Sequence, residues 1–287
     1  MKIRFIINPV AGTGKQKGIE QCIAKHLENY EIVYTKKAGD ATRLSKEAEK
    51  ENIDTVVAVG GDGTINECLK SLVNTNTALG VIPCGSGNGF AYHIGMSRTA
   101  EQALVQLKDA KTETIDSCTA NRTPFVNVSG IGFDAHIANL FAGLKKRGFI
   151  NYVKLILREL SYKPQEYTLK YEGLERKVKA YMISFANASQ YGNDARISPM
   201  ADVQDGLLDF VIVKAFPKWK IPLFLLKVVR GKTHLSKYVE IIQCQKMQIS
   251  AQNTLLHLDG EPYKASNPVE VKLLPKSLKI LMPNGKE

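Results

Sequence analysis

An α/β N-terminal domain built on a parallel sheet, followed by an all-β, sandwich-like C-terminal domain, is the fold class this sequence predicts. Three observations predict it. Up to residue 112, short apolar runs alternate with amphipathic stretches, the grammar of βαβ units. From Glu113 onward most apolar runs are separated by turns such as Glu172-Gly173 and Asp205-Gly206, the grammar of an antiparallel sandwich. The chain has 287 residues, 44% of them hydrophobic, enough for two cores at roughly 100–200 residues per domain. The domains are set at 1–112 and 113–287, with a return of the extreme C-terminus to the first domain left open.

In the first domain Ile3 to Ile7 reads as a buried strand, and Gly18 to Asn29 as the helix after it. Ile32 to Tyr34 and Asp40 to Asn52 repeat the pair. Thr55 to Val59 is β-branched enough for a central strand, followed by a helix over Asn66 to Val73. Leu79 to Ile82 and a helix over Thr99 to Lys108 complete this half. In the second half strands are expected at Thr114 to Ala120, Phe125 to Val128, Tyr167 to Tyr171, Lys177 to Phe185 and Leu208 to Val213. Three more are expected at Val239 to Cys244, Met247 to Ala251 and Thr254 to Leu258. Helices interrupt them at Ala135 to Leu144, Ile150 to Leu160 and Lys218 to Val229.

Lysine and arginine outnumber acids 39 to 28, a formal charge of +11. Such an excess attracts polyanions: nucleic acid, an anionic membrane surface or a nucleotide. Nucleic acid is set aside, because the basic residues are not interleaved with aromatics and no binding module is recognisable. The five cysteines are scattered and form no CxxC pair, which argues for buried thiols in a reducing cytoplasm and against a disulfide framework or zinc site. The N-terminal apolar run is too short for a signal peptide. No stretch approaches the ~20 apolar residues of a membrane span, so lipid contact is expected to be peripheral.

Three glycine-rich segments each follow a predicted parallel strand, and ligands of open α/β sheets bind at the carboxyl ends of strands. The first is Asn8-Pro9-Val10-Ala11-Gly12-Thr13-Gly14-Lys15. It is not a Walker loop, which would need glycine at Pro9 and Ser or Thr at Gln16. The second, Gly60-Gly61-Asp62-Gly63-Thr64-Ile65-Asn66-Glu67, is the most specific signal in the chain. Its glycines let backbone N–H groups approach a phosphate. Asp62 is an odd choice for a plain turn but suits a site where it orients Mg²⁺ or a water on it. Thr64 offers a hydroxyl. For Asn66 and Glu67 the alternative is a helix cap and a favourable first-turn acid, and for Glu67 that reading weighs as much as a nucleotide contact. The third is Pro83-Cys84-Gly85-Ser86-Gly87-Asn88-Gly89-Phe90-Ala91, with the Ser86 hydroxyl and Asn88 amide among exposed N–H groups.

GGDGTxNE after a β-branched strand, preceded by NPxxG and followed by PxGSGN, resembles the catalytic domain of diacylglycerol, sphingosine and ceramide kinases and their bacterial relatives. The resemblance implies a first domain like those of phosphofructokinase and NAD kinase that binds ATP, a β-sandwich, and a lipid acceptor between them. It implies nucleotide contacts from Asn8, Pro9, Val10, Thr35, Gly60, Gly61, Asp62, Gly63, Thr64, Asn66 and Ser86. It implies transfer of the γ-phosphate to a lipid hydroxyl, with Mg²⁺, by a cytoplasmic enzyme peripherally associated with an anionic membrane surface; a homodimer is left open. Many bacterial relatives carry Asn-Asp-Phe where this chain has Asn88-Gly89-Phe90, and GSGN before a small residue is closer to the sphingosine-kinase type.

The resemblance also marks acids in the second domain. Asp116 matches an acid proposed to act at the acceptor hydroxyl. Asp259-Gly260-Glu261 matches a signature that contributes a proposed general base, Glu261, although Asp-Gly alone is an ordinary hairpin turn. The segment with Asp202, Asp205 and Leu207 resembles one that holds a structural Mg²⁺ by side chain and backbone carbonyls, against a plain solvated turn. Asn187 to Asn193, with Ile197 to Pro199, resembles a loop between sandwich strands. Asp134 reads as an N-cap for the helix starting at Ala135. Pro217 to Lys227 combines apolar and basic residues around the single Trp219; packing on the sandwich is the expectation there, and an anionic membrane surface the alternative. The five histidines show no metal spacing. Competing readings are an NAD kinase, which NPxxG and the terminal DGE oppose, and a non-catalytic nucleotide sensor, for which acids such as Asp62, Asp116 and Glu261 would be superfluous.

Overall fold

Strands apolar on both faces build the first half. The computed structural model describes residues 2–12, 16, 18–144 and 149–284; Thr13, Gly14 and Lys15 of the first glycine-rich loop lie outside these. β1 (Ile3–Ile7), β2 (Tyr30–Tyr34), β3 (Thr55–Gly60) and β4 (Ala78–Pro83) run parallel in the order β2-β1-β3-β4. β1, β3 and β4 are buried along their whole length, as a sheet covered on both faces requires. The helices of this half are α1 (Ile19–His26), α2 (Asp40–Lys50), α3 (Asp62–Leu72), α4 (Gly89–His93) and α5 (Ala100–Lys108).

α3 begins a full turn before the expected Asn66. Asp62, Gly63 and Thr64 are its first turn, with Gly61 as the cap residue. The glycines are there for close approach. A Cβ on Gly60 would meet the Thr64 side chain at 2.4 Å, and one on Gly61 would come within 3.1 Å of the Gly85 backbone.

The second half holds β5 (Lys111–Ala120), β6 (Thr123–Phe125), β7 (Val128–Gly132), α6 (Phe133–Ala142) and α7 (Phe149–Arg158). Then come β8 (Gln165–Tyr171), β9 (Leu174–Ala186), β10 (Leu208–Lys214), α8 (Ile221–Val229) and β11 (Val239–Cys244). β12 (Lys246–Ala251), β13 (Leu255–Leu258), β14 (Glu261–Lys264) and β15 (Val269–Met282) close the chain. Pairing here is antiparallel: β9 with β7, β8 and β10, β12 with β8 and β15, and β13 with β7 and β14. The inner faces pack Phe125, Tyr167, Phe185 and Phe210 into a second core.

β15 belongs to both halves. Its start pairs with β12, while Ile280 pairs in parallel with Leu79 of β4. β5 runs antiparallel beside it, with a register shift between Leu274 and Leu278. That bulge, with Lys276 at φ 47°, breaks the alternation that would have revealed the strand. β14 escaped notice because it reads Glu-Pro-Tyr-Lys and lies at the sheet edge, where proline is tolerated. The single strand expected over Phe125 to Val128 is two, because the N–H groups of Val126 and Asn127 leave the ladder to bind Asp259.

α8 only partly follows its expectation. Val228 is buried and Phe224 packs on Phe216 at 5.4 Å, but Trp219, Leu223, Leu226 and Val229 stand in solvent.

Candidate active site

The carboxyl ends of β1, β3 and β4 lead into the three glycine-rich loops, and the loops meet. A Cβ on Gly12 would lie 2.5 Å from the Cys84 carbonyl oxygen, and one on Gly85 would lie 2.5 Å from Gly61 Cα. Asn8 joins the first loop to the second: its Nδ2 donates to Thr64 Oγ1 at 3.2 Å, and its Oδ1 accepts from Val10 N at 3.1 Å. Pro9 and Val10 are exposed beside it. Thr35, at the end of β2, donates its N–H to Ile7 O at 3.0 Å and so sits next to the first loop. Asn88 clips the third loop by exchanging hydrogen bonds with both backbone groups of Gly85, at 2.8 and 2.9 Å.

The second domain forms the other wall. Asn193 Nδ2 donates to Ser86 O at 2.8 Å, and Gly192 packs on Gly87, where a Cβ would be 2.7 Å away. Gly89 is equally crowded. A Cβ there would fall 2.6 Å from Gln190 O and 2.8 Å from Asn127 Nδ2. An acid at this position has no room, because Asn127 and the loop over Asn187 to Arg196 occupy the space of a side chain.

Asp62 sits where the walls meet. The N–H groups of Asn88, Gly89 and Phe90 point to its carboxyl, while Oδ1 is buried and has no hydrogen-bond partner. Burial, reinforced by the charge of Asp259, pushes its pKa up to about 7. Burial also raises the Asp259 pKa, against the hydrogen bonds it accepts. Those come from Asn66 Nδ2 at 2.9 Å and from the N–H groups of Val126 and Asn127 at 3.1 and 2.9 Å. Asn66 is therefore a tie between the domains and not a helix cap. Glu67 caps a different helix, accepting from Gly39 N at 2.9 Å and Ala41 N at 3.1 Å at the start of α2.

Glu261 lies beside the same first turn of α3. Its Oε1 is 3.0 Å from where a Cβ on Gly63 would be, and the residue is exposed. The turn that carries it is held by His257, whose Nδ1 accepts from Gly260 N at 3.2 Å while Nε2 faces Asp134 Oδ2 at 3.3 Å. Asp134 is inside α6, not its cap, and also accepts from the Ser184 and Tyr191 hydroxyls, both at 3.1 Å. Sequence reasoning gave His257 no role and read Asp259 only as part of the turn that carries Glu261. Both alternate with the core residues Leu256 and Leu258 and so lie on the face of β13 and its turn opposite the sandwich core, although buried.

The remaining predicted residues gather elsewhere. Asp116 is buried on β5, and its two oxygens accept from Gly206 N at 2.9 Å and Lys276 N at 2.7 Å. It fastens the Asp205-Gly206 turn to the bulge of β15. Asp202 accepts from Gln204 N and Asp205 from Leu207 N, each at 2.9 Å, in two local turns. Burial and the neighbouring charges of Asp202, Asp209 and Asp116 raise the Asp205 pKa. Among the described residues no group of three His, Cys, Asp or Glu side chains could hold a metal by itself.

Residues 2–120 match the model of the diacylglycerol kinase catalytic domain, and residues 127–282 that of the YegS C-terminal NAD kinase beta sandwich-like domain. A Chromohalobacter salexigens protein named "Probable lipid kinase YegS-like" is 30% identical over 259 residues, 88% of this chain and 83% of that one. A Mycobacterium tuberculosis protein named diacylglycerol kinase is 28% identical over 296 residues, 98% of this chain and 95% of that one. Two Bacillus anthracis crystal structures, one titled as a diacylglycerol kinase, share the fold with TM-scores of 0.83 and 0.74 at 23% and 20% identity, over 99% of this chain and 97% of theirs.

Proposed function

The chain belongs to the diacylglycerol kinase family of lipid kinases, phosphotransferases with an alcohol acceptor, and we propose that it transfers the γ-phosphate of ATP to a lipid hydroxyl in the crevice between its domains. The observation that carries this reading is the Asp62 carboxyl. It lies half-buried between the second and third glycine-rich loops, its Oδ1 is fully buried without a hydrogen-bond partner, and burial pushes its pKa up to about 7.

Phosphoryl transfer asks a protein for positioning, charge neutralisation and a group to take the hydroxyl proton. The N–H groups of Asp62 and Gly63 at the start of α3 and of Ser86 and Gly87 in the third loop face the phosphates, joined by the hydroxyls of Thr64 and Ser86. Asp62 takes the proton of the acceptor hydroxyl, since a base poised near neutral pH combines ionisation with driving force. A divalent cation fits the site in the way Mg²⁺ usually binds, through one or two carboxylates plus substrate phosphates, with Glu261 beside Gly63 as the exposed carboxylate. When bound it neutralises charge on the transferred phosphoryl group. For Asp116 a structural part is the reading, supported by the backbone N–H groups of Gly206 and Lys276 that its two oxygens accept.

The test is incubation with labelled ATP and Mg²⁺ against diacylglycerol, sphingosine, ceramide and NAD in separate reactions. Label in any lipid supports the reading and names the acceptor class. Label in NAD alone replaces it with the NAD kinase reading. ATP binding with label in no acceptor, including a total lipid extract, returns the protein to a nucleotide sensor.

A further inference from the structure

We infer that α8 and the turn before it form a docking face for an anionic lipid bilayer, an inference that rests on the lipid-kinase reading above. The sequence around it is unusual. From Phe210 to Val239 there are seven lysines and arginines and no acid, so this one segment supplies +7 of the chain's +11. Among the described residues only Lys214 of these seven pairs with a carboxylate, Glu240 at 2.8 Å.

The geometry sorts the apolar residues into two sets. Phe224 and Val228, four apart, face the sandwich. Trp219, Leu223, Leu226 and Val229 recur at helical spacing on the other side and are 77%, 55%, 43% and 53% exposed. Surface leucines occur singly in any protein, but a contiguous set flanked by cations is a surface that expects a partner. Lys220 Nζ lies 4.8 Å over the Trp219 ring, and Lys218, Arg230 and Lys232, exposed, flank the two ends of this segment in sequence. An apolar stripe with tryptophan, flanked by cations, matches the layered chemistry of a bilayer surface, acyl chains beneath anionic headgroups. No helix among the described residues is long and apolar enough to cross a membrane, so contact through helices is of this shallow kind.

One loop separates this face from the crevice. Arg196 N donates to Val228 O at 3.1 Å, and Thr233 Oγ1 donates to Arg196 O at 2.6 Å. The same loop packs Gly192 on Gly87 and donates from Asn193 to Ser86. A bilayer held on α8 is thus one loop away from where a lipid hydroxyl has to arrive.

Trp219 is the only tryptophan in the chain, so its emission reports this face alone. The full-length protein is mixed, without ATP, with vesicles of phosphatidylglycerol and phosphatidylcholine in equal parts, and with pure phosphatidylcholine. The expected result is co-sedimentation with the anionic vesicles only, lost at high salt, with a blue shift of Trp219 and quenching by brominated acyl chains. Leu223→Asp with Leu226→Asp should weaken vesicle binding on the order of tenfold or more, and Lys218→Glu with Arg230→Glu should do likewise. Both pairs are exposed, so their melting temperatures should match wild type. Absence of anionic-vesicle binding, or binding that leaves Trp219 unshifted, overturns the proposal. So does Trp219 burial by self-association without lipid, which would make a second copy the occupant. Phosphoryl transfer to lipid in detergent micelles is measured separately. Failed docking with retained transfer sinks only the docking face; docking without transfer upholds the face and sinks the kinase reading.

Discussion

Asn66 of α3 donates a 2.9 Å hydrogen bond to Asp259, 193 residues away on the hairpin of the second domain. That bond joins the two walls of the crevice and fixes a second buried negative charge near Asp62. Burial and this charge together keep the Asp62 carboxyl from ionising until about neutral pH.

Asp62→Asn should abolish turnover, by a factor of about 10²–10⁴ in kcat. Its stability effect has a definite sign. A carboxyl raised from 3.8 to about 7 holds a proton in the native state that the unfolded chain releases, so native stability falls as pH rises through that interval. The amide avoids the cost of burying a charge. The melting temperature of Asp62→Asn should therefore exceed wild type at pH 8 and approach it near pH 4, by calorimetry at both. A variant less stable than wild type at pH 8 would remove the case for a buried, reluctantly ionised carboxyl.

Asp259→Asn keeps the shape of the cross-domain contact and removes the charge. The Asp62 pKa should fall, so the acidic limb of the kcat profile should move to lower pH than in wild type. Stability should drop, by about 1–3 kcal/mol, because an amide cannot accept from Asn66, Val126 and Asn127 as a carboxylate does. An unmoved pH profile would mean that Asp62 does not govern it.

Asp116→Asn and Glu261→Gln separate architecture from chemistry. The first should lose about 1–3 kcal/mol of stability, since the buried carboxylate that joins the Gly206 and Lys276 N–H groups becomes an amide with only one accepting oxygen, while the folded fraction keeps its kcat. The second should leave the melting temperature in place and raise the Mg²⁺ concentration needed for half-maximal rate. If Glu261→Gln instead shows a larger kcat loss than Asp62→Asn, Glu261 is the proton acceptor and the two roles are exchanged.

Gly85→Ala should weaken ATP binding by tenfold or more, measured by titration calorimetry. Its Cβ would meet the Gly61 backbone at 2.5 Å and Asn88 Oδ1 at 2.7 Å, prising the second and third loops apart. Gly173→Ala is the contrast. That glycine has φ +77° but open space around it, so only a modest loss of stability and no loss of ATP affinity is expected.

The layer types and the three loops were legible from residue order. Val56 to Val59 and Leu79 to Ile82 are apolar on consecutive positions, as in a strand covered on both faces, and glycines come within two residues of each strand's end where backbones must touch. The sequence also marked Asp62 and Glu261, because both stand in glycine-containing turns with a recognisable order of residues. What it did not contain is which acids face the crevice. Asp116, Asp134, Asp259 and Glu261 look alike along the chain, each beside a strand or turn. Tertiary structure alone assigns Asp116 to two backbone N–H groups at the bulge of β15 and Asp134 to His257, Ser184 and Tyr191. It brings Asp259 to Asn66 across 193 residues. The reason is physical. Burial and the proximity of another charge shift a carboxyl, and both depend on what the fold packs around it and not on its neighbours in sequence.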